Sequence, residues 1–143
     1  MFSNSSKYAL KAVLYLAVNS SETHKILAKN ISEPINVPQA YIAKLLQELS
    51  RHNIVSSCRG PKGGFYLSDS NRKITLIRIV DVIDGENRLN SCLLSLENCN
   101  NEKPCPLHGF AAPFRTDLLE NLKKNTIDDL AVSIKSGDSF LPL

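Results

Sequence analysis

The sequence predicts a mainly α-helical chain with one small β-hairpin, and three observations predict it. Apolar residues recur at three- and four-residue spacing in several separate segments, the signature of helices with one buried face. Two short apolar runs flank a single cluster of glycine, proline and basic residues, which reads as a hairpin with a tight turn. Apolar residues make up 43% of the 143 positions, enough for one core. No apolar run approaches the ~18 residues that a membrane span needs, so no membrane role is expected.

The elements follow in order. Residues 5–19 favour helix, and from Tyr8 to Val18 only Lys11 is charged. A helix apolar nearly all round belongs inside the core or against a second subunit. A short helix is expected near 26–33, ended by Pro34. After a turn at Asn36 and Val37, Pro38 stands where a first helical residue is tolerated. The next helix runs over about 39–52, with Ile42, Leu45, Leu46 and Leu49 on one face. Two short helices joined by a tight turn make a helix-turn-helix. Strands are expected at 54–57 and 65–68, joined by Cys58-Arg59-Gly60-Pro61-Lys62-Gly63-Gly64. A basic hairpin directly after the second helix of such a pair is a wing, and Cys58 on it is expected to be a buried strand residue. Thr75 is suited to cap a helix through Asp84, ended by Gly85. Farther on, Phe110, Phe114, Leu118 and Leu122 recur every four residues, describing an amphipathic helix of about 111–125 with Pro113 in its first turn. So long an amphipathic helix at the end of a small domain suits packing against a second copy, through Phe114, Leu118 and Leu122. Thr126 then opens a short last helix, and the residues from Gly137 onward read as a frayed tail. The chain accordingly divides into a winged helix-turn-helix over 1–88, a cysteine-rich loop over 89–108, and a dimerisation helix with its tail over 109–143.

The loop carries the most specific chemistry. Cys92, Cys99, Cys105 and His108 fall within seventeen residues, and the only other cysteine is Cys58. Three thiolates and an imidazole complete a coordination shell. An iron–sulfur cluster or a zinc ion would satisfy them equally in kind. Structural zinc sites usually pair ligands in tight two-residue turns, whereas the gaps here are six, five and two residues, which leaves room for a larger cluster. Disulfides are the third possibility. The first residues, Met-Phe-Ser-Asn-Ser-Ser, lead into Lys7 without the basic start and apolar stretch of a secretory signal. A cytoplasmic location is therefore expected, where structural disulfides are rare.

Charge is unevenly distributed. Residues 1–80 carry 11 Lys and Arg against 4 Asp and Glu, while residues 81–143 carry 6 against 10. A basic front half suits a polyanionic partner there. No catalytic constellation is visible: His24 and His52 have no neighbouring nucleophile in the sequence, and the glycine-rich segment lacks phosphate-loop spacing. The chain is not expected to be an enzyme.

Val55-Ser56-Ser57-Cys58-Arg59-Gly60-Pro61-Lys62-Gly63-Gly64-Phe65-Tyr66-Leu67 resembles the wing signature of the Rrf2 family of bacterial transcription regulators. Ser6-Lys7-Tyr8-Ala9-Leu10 resembles the opening of that family, and Ile74-Thr75-Leu76 its helix after the wing. The cysteine trio stands where the family places its own, and the resemblance spans about 4–135. It implies a winged helix-turn-helix homodimer, often a repressor, bound to palindromic operator DNA and sensing iron–sulfur cluster, redox or nitric oxide status. Cys105-Pro106-Leu107-His108 matches the ligand ending of the subfamily that regulates cluster assembly, which makes Cys92, Cys99, Cys105 and His108 the implied ligands. A 2Fe–2S cluster is favoured over 4Fe–4S, with zinc as the alternative. The nitric-oxide-responsive subfamily takes a carboxylate from its first helix, and this chain has no Asp or Glu before Glu22. The first cysteine gap is one residue longer than is common in these subfamilies, and Pro38 and Ala40 stand where relatives often carry hydroxyl residues.

On the DNA side, Gln39, Tyr41 and Lys44 open the second helix of the motif, where side chains reach base edges in the major groove. Arg59, beside Gly60 at the wing tip, suits a narrow minor groove. Lys62 suits phosphate, as do Lys7, Arg51 and Arg72 unless they meet only solvent. A zinc-bound or metal-free regulator and a small electron carrier are the competing readings. The basic wing and the helix-turn-helix speak against the carrier.

Overall fold

The computed structural model describes residues 2–94 and 101–143. Its centre is α1 (Asn4–Asn19), which buries Ala9, Ala12, Val13, Leu16 and Ala17 completely. Alanine at three of these five positions lets neighbouring backbones come close, so four other helices, α2, α3, α5 and α7, pack on this one. Ser3 caps α1, its Oγ accepting from the Ser6 N–H at 3.0 Å. The exposed Lys7 and Lys11 mark the side of the helix that the core does not cover.

Next come α2 (Ala28–Ile35) and α3 (Gln39–Arg51), which pack against each other across a turn in which Asn36 takes a left-handed conformation. Pro34 does not end α2 as expected. The helix runs one residue past it because Ile35 is drawn into the core. In α3 the expected stripe of Ile42, Leu45, Leu46 and Leu49 is buried. The wing pairs β1 (Ser56–Cys58) with β2 (Gly64–Tyr66) antiparallel, with Ser57 opposite Phe65. Both strands are shorter than expected. Ile54 and Val55 are not paired residues but core plugs ahead of β1. Leu67 enters the core beyond β2, and Ser68 is taken up as the cap of α4 (Asp69–Arg72).

Beyond α4, α5 (Leu76–Asp84) inserts Leu76, Ile79 and Val80 into the core and ends at Gly85, where φ is +87°. A single 3-10 turn (Arg88–Asn90) leads to the cysteine loop. The long helix α6 (His108–Lys124) starts three residues earlier than its apolar spacing suggested, which places Pro113 inside the helix rather than in its first turn. Thr126 and Asp129 form a capping box that opens α7 (Ile127–Ser136). The starts of α5 and α7 are stitched together: Leu76 N–H donates to Asn125 C=O at 3.0 Å and Ile127 N–H to Ile74 C=O at 2.9 Å.

The four-residue stripe of α6 divides along its length. Leu122 is buried within the chain's own core, and Leu118 and Leu119 pack against that core. Leu122 therefore does not await a partner, contrary to the sequence expectation, whereas Leu118 is half-buried and lines an open pocket together with Phe110 and Phe114. Only Phe110 and Phe114, each 73% exposed, present a large apolar surface on this helix.

Asp84, the last residue of α5, is held by the N-terminus of α1. Ser3 donates to it from its N–H and its hydroxyl, and Ser6 donates from its hydroxyl at 2.7 Å. Burial pushes the Asp84 carboxyl up, but these hydrogen bonds and the nearby Arg88 outweigh it and hold the group below its ordinary value of 3.8. A depressed carboxyl stabilises the fold above its unfolded value and loses that contribution as pH falls through the lower folded one. Asp84→Asn is expected to lower the melting temperature at neutral pH. It should also flatten its decline from about pH 5 to about pH 2. Melting curves recorded over that range check this; a parallel decline in variant and wild type would refute the assignment.

Candidate DNA interface and metal centre

The face of α3 opposite its buried stripe exposes Gln39, Ala40, Lys44, Gln47 and Arg51. The expected base-reading positions Gln39 and Lys44 are thus both in solvent. Tyr41 is different: it is half-buried, its hydroxyl shares a 2.5 Å hydrogen bond with that of Ser5, and its ring stands edge-on to Tyr8 with centroids 5.9 Å apart. Arg51 forms a 3.2 Å ion pair with Glu48 one turn back.

The wing owes its shape to two glycines. Gly63 N–H donates to Gly60 C=O at 2.9 Å, closing the tip, and a Cβ at Gly63 would lie 2.3 Å from the Cys58 carbonyl oxygen. At Gly64 a Cβ would lie 2.8 Å from the Ile26 carbonyl oxygen, because Ile26 and Phe65 exchange backbone hydrogen bonds at 2.8 and 2.9 Å. That bridge fixes the hairpin to the body, and Lys25 lies over the Tyr66 ring, 5.2 Å from its centre. Arg59, Gly60 and Lys62 are exposed at the tip. Between α3 and the wing runs an open cleft of about 470 Å³, lined by Gln47, Ser50, Arg51, Ser57, Cys58 and Arg59 among others. Gln47 was not singled out from the sequence, although the spacing of Ala40, Lys44, Gln47 and Arg51 complements the apolar stripe and was there to be read.

Two sequence expectations change here. Cys58 is a strand residue, but it is exposed rather than buried, because the hairpin lies on the surface and its second strand shields only one side. Arg72 does not face phosphate or solvent alone. Its guanidinium donates to Ala17 C=O at 2.8 Å and Ser20 C=O at 3.1 Å, satisfying the carbonyls at the end of α1.

In the loop, Cys92 is buried and Cys105 half-buried, with their sulfur atoms 3.7 Å apart. A disulfide requires about 2.05 Å. Two thiolates on one tetrahedral ion, with bonds of about 2.3 Å, stand ~3.8 Å apart. The pair is an unbridged thiol contact, close enough for both sulfur atoms to reach one ion. His108 opens α6, its N–H donating to Cys105 C=O at 3.0 Å, which keeps the imidazole within one turn of that thiol. Cys99 lies outside the described residues, and among those residues no group of three or more His, Cys, Asp and Glu gathers into a metal site. No helix among the described residues is long and apolar enough to cross a membrane.

Removing a structural guanidinium and removing a surface ammonium should separate cleanly. Arg72→Ala is expected to cost about 1–3 kcal/mol of stability, the range for hydrogen bonds to a charged group and the carbonyls left behind. It should leave the salt dependence of DNA binding unchanged. Lys62→Ala should do the reverse, lowering the slope of affinity against salt by about one unit. Urea titration and DNA binding at two salt concentrations test both.

The family model described as "Iron-dependent Transcriptional regulator" matches residues 2–133. A protein of Aquifex aeolicus, provisionally named an HTH-type transcriptional regulator, is 32% identical over 91% of this chain and 90% of its own length. The HTH-type transcriptional regulator IscR of Pectobacterium carotovorum is 28% identical over 87% of this chain and 74% of its own. Among solved structures, CymR, the global cysteine regulator of B. subtilis, superposes with a TM-score of 0.71 at 25% identity, covering 92% of this chain and 96% of that one. With a winged helix-turn-helix fold and a family match across nearly its whole length, the chain belongs to the Rrf2 family of transcription regulators.

Proposed function

We propose that this regulator reads a palindromic operator as a homodimer and senses iron–sulfur cluster, redox or nitric oxide status through Cys92, Cys99, Cys105 and His108. The observation that supports the sensing role is the close approach of Cys92 and Cys105, two thiols with no disulfide between them, 3.7 Å apart and so near enough to share one metal. His108 follows within one turn, and its imidazole is a neutral ligand that competes with protons for the metal. An iron–sulfur cluster, when bound, supplies redox and ligand-exchange chemistry, and a histidine ligand raises its potential. A 2Fe–2S cluster suits this mixed donor set better than 4Fe–4S. Residues 1–88 read DNA, 89–108 hold the cluster and 109–143 carry the dimer contact.

On DNA, α3 enters the major groove, with Gln39 and Lys44 directed at base edges or the adjoining phosphates. Arg59 at the wing tip enters the flanking minor groove, Gly60 lets the backbone approach there, and Lys62 neutralises phosphate. The exposed Phe110 and Phe114 at the start of α6 supply the apolar contact with the second copy.

Anaerobically purified protein should contain iron and acid-labile sulfide and absorb in the visible. Cys99→Ala should lose both, and His108→Ala should weaken retention without unfolding the chain. Full iron and sulfide in Cys99→Ala would overturn the ligand set. Stoichiometric zinc without sulfide would replace the cluster by a zinc ion. For the dimer, light scattering should return about twice the 15.8 kDa chain mass. Phe110→Ser with Phe114→Ser should return a single chain, and an unchanged mass would move the interface elsewhere.

A further inference from the structure

Tyr41 stands where a base-reading residue is expected, yet its polar end is turned to the protein. Its hydroxyl meets Ser5 at 2.5 Å and its ring packs edge-on to Tyr8, both on the first turns of α1. The same turn is gripped on another side. Ser3 and the fully buried Ser6 donate three hydrogen bonds to Asp84, the last residue of α5. Ser5 and Ser6 are adjacent on a helix, so their side chains diverge by about 100°. One rigid turn thereby reaches two elements at once: the start of α3 through Ser5, and the end of α5 through Ser6. Immediately after Asp84 the backbone swings at Gly85 toward the 3-10 turn and the buried Cys92.

We propose that the N-terminal turn of α1 is a strut that sets the position of the recognition helix relative to the end of α5. Tyr41 and Asp84 are positioning residues at its two ends. Tyr41 then contributes to operator recognition by fixing where Gln39 and Lys44 stand, not by touching a base. A movement of the cysteine loop that pulls on Gly85 has a path to the reading helix: it loosens Asp84, then the serine turn, then Tyr41. The strut rests on the DNA-reading role of α3 for its consequence, but not for its existence.

The test uses the full chain and has two arms. In the first, amide hydrogen exchange is measured without DNA in wild type, Asp84→Asn, Ser6→Ala and Tyr41→Phe. Exchange at Ile42–Lys44 should rise relative to Leu49 in all three variants, although Asp84 and Ser6 lie on other elements. Should Asp84→Asn accelerate every amide, Ser6→Ala decides, because it leaves both Ser3 hydrogen bonds in place. In the second arm, affinity is measured for an operator selected in vitro with wild type and for random DNA. Tyr41→Phe and Asp84→Asn should each lower the operator-to-random ratio. The double variant should lose less than the product of the two by at least about threefold, as for residues coupled through one element. Independent, multiplicative losses overturn the strut. So does unchanged α3 exchange in Ser6→Ala, or a Tyr41→Phe effect confined to one base position. Failure to select any operator with wild type would sink the DNA reading instead, and the exchange arm would still decide the strut.

Discussion

The burial of α1 is the constraint on which the rest of the molecule depends. A helix with five fully buried apolar positions, three of them alanine, can serve several neighbours because small side chains let their backbones come close. The helix-turn-helix, α5 and α7 are each braced on it, so the reading head is not a free-standing three-helix unit. Its two ends are finished by distant groups. Ser3, Ser6 and Asp84 close the start, and Arg72 closes the carbonyls at the end. These polar contacts lie at the edges of an apolar centre, where a missing partner would leave carbonyl or carboxylate groups half-desolvated.

Wing and recognition helix are fixed by different physics. The helix is placed by a buried leucine and isoleucine stripe, which tolerates exchange of similar volume. The hairpin is placed by backbone: the Ile26–Phe65 bridge passes so close to Gly64 that no side chain fits. The resulting cleft brings residues from Gln47 to Arg59 onto one surface, joining the two reading elements in a single cationic and hydroxyl-lined edge.

How much was legible beforehand follows from the range of each interaction. The stripe of α3, the Thr126 cap of α7 and the end of α5 at Gly85 are local patterns and stand where the sequence indicated, and the glycine-rich wing does so with its strand ends moved by one or two residues. Helix α4 was not legible, since four residues carry no period and only the Ser68–Asn71 box marks it. The partners of Arg72 lie more than fifty residues away, so nothing local told its guanidinium from a solvent-facing one. Tyr41 and Ser5 are thirty-six residues apart for the same reason. The α6 stripe misled because periodicity reports that a face is apolar but not what covers it: Leu122 meets its own chain, Phe114 does not. Of the candidate metal site, the residue types were legible, and the 3.7 Å approach of Cys92 and Cys105 needed the fold.

The docking of α7 on α1 has a consequence for how the chain folds. The two helices lie more than a hundred residues apart along the chain, yet they pack directly on each other. The pairing of α2 with α3 and of β1 with β2 is local by comparison. Distant contacts cost loop-closure entropy before they return any stabilisation, so local pairs form sooner than pairs that span most of a domain. The surface of α1 that Ile127 and Ala131 help to enclose is therefore closed late, after the helix-turn-helix and the wing have taken shape.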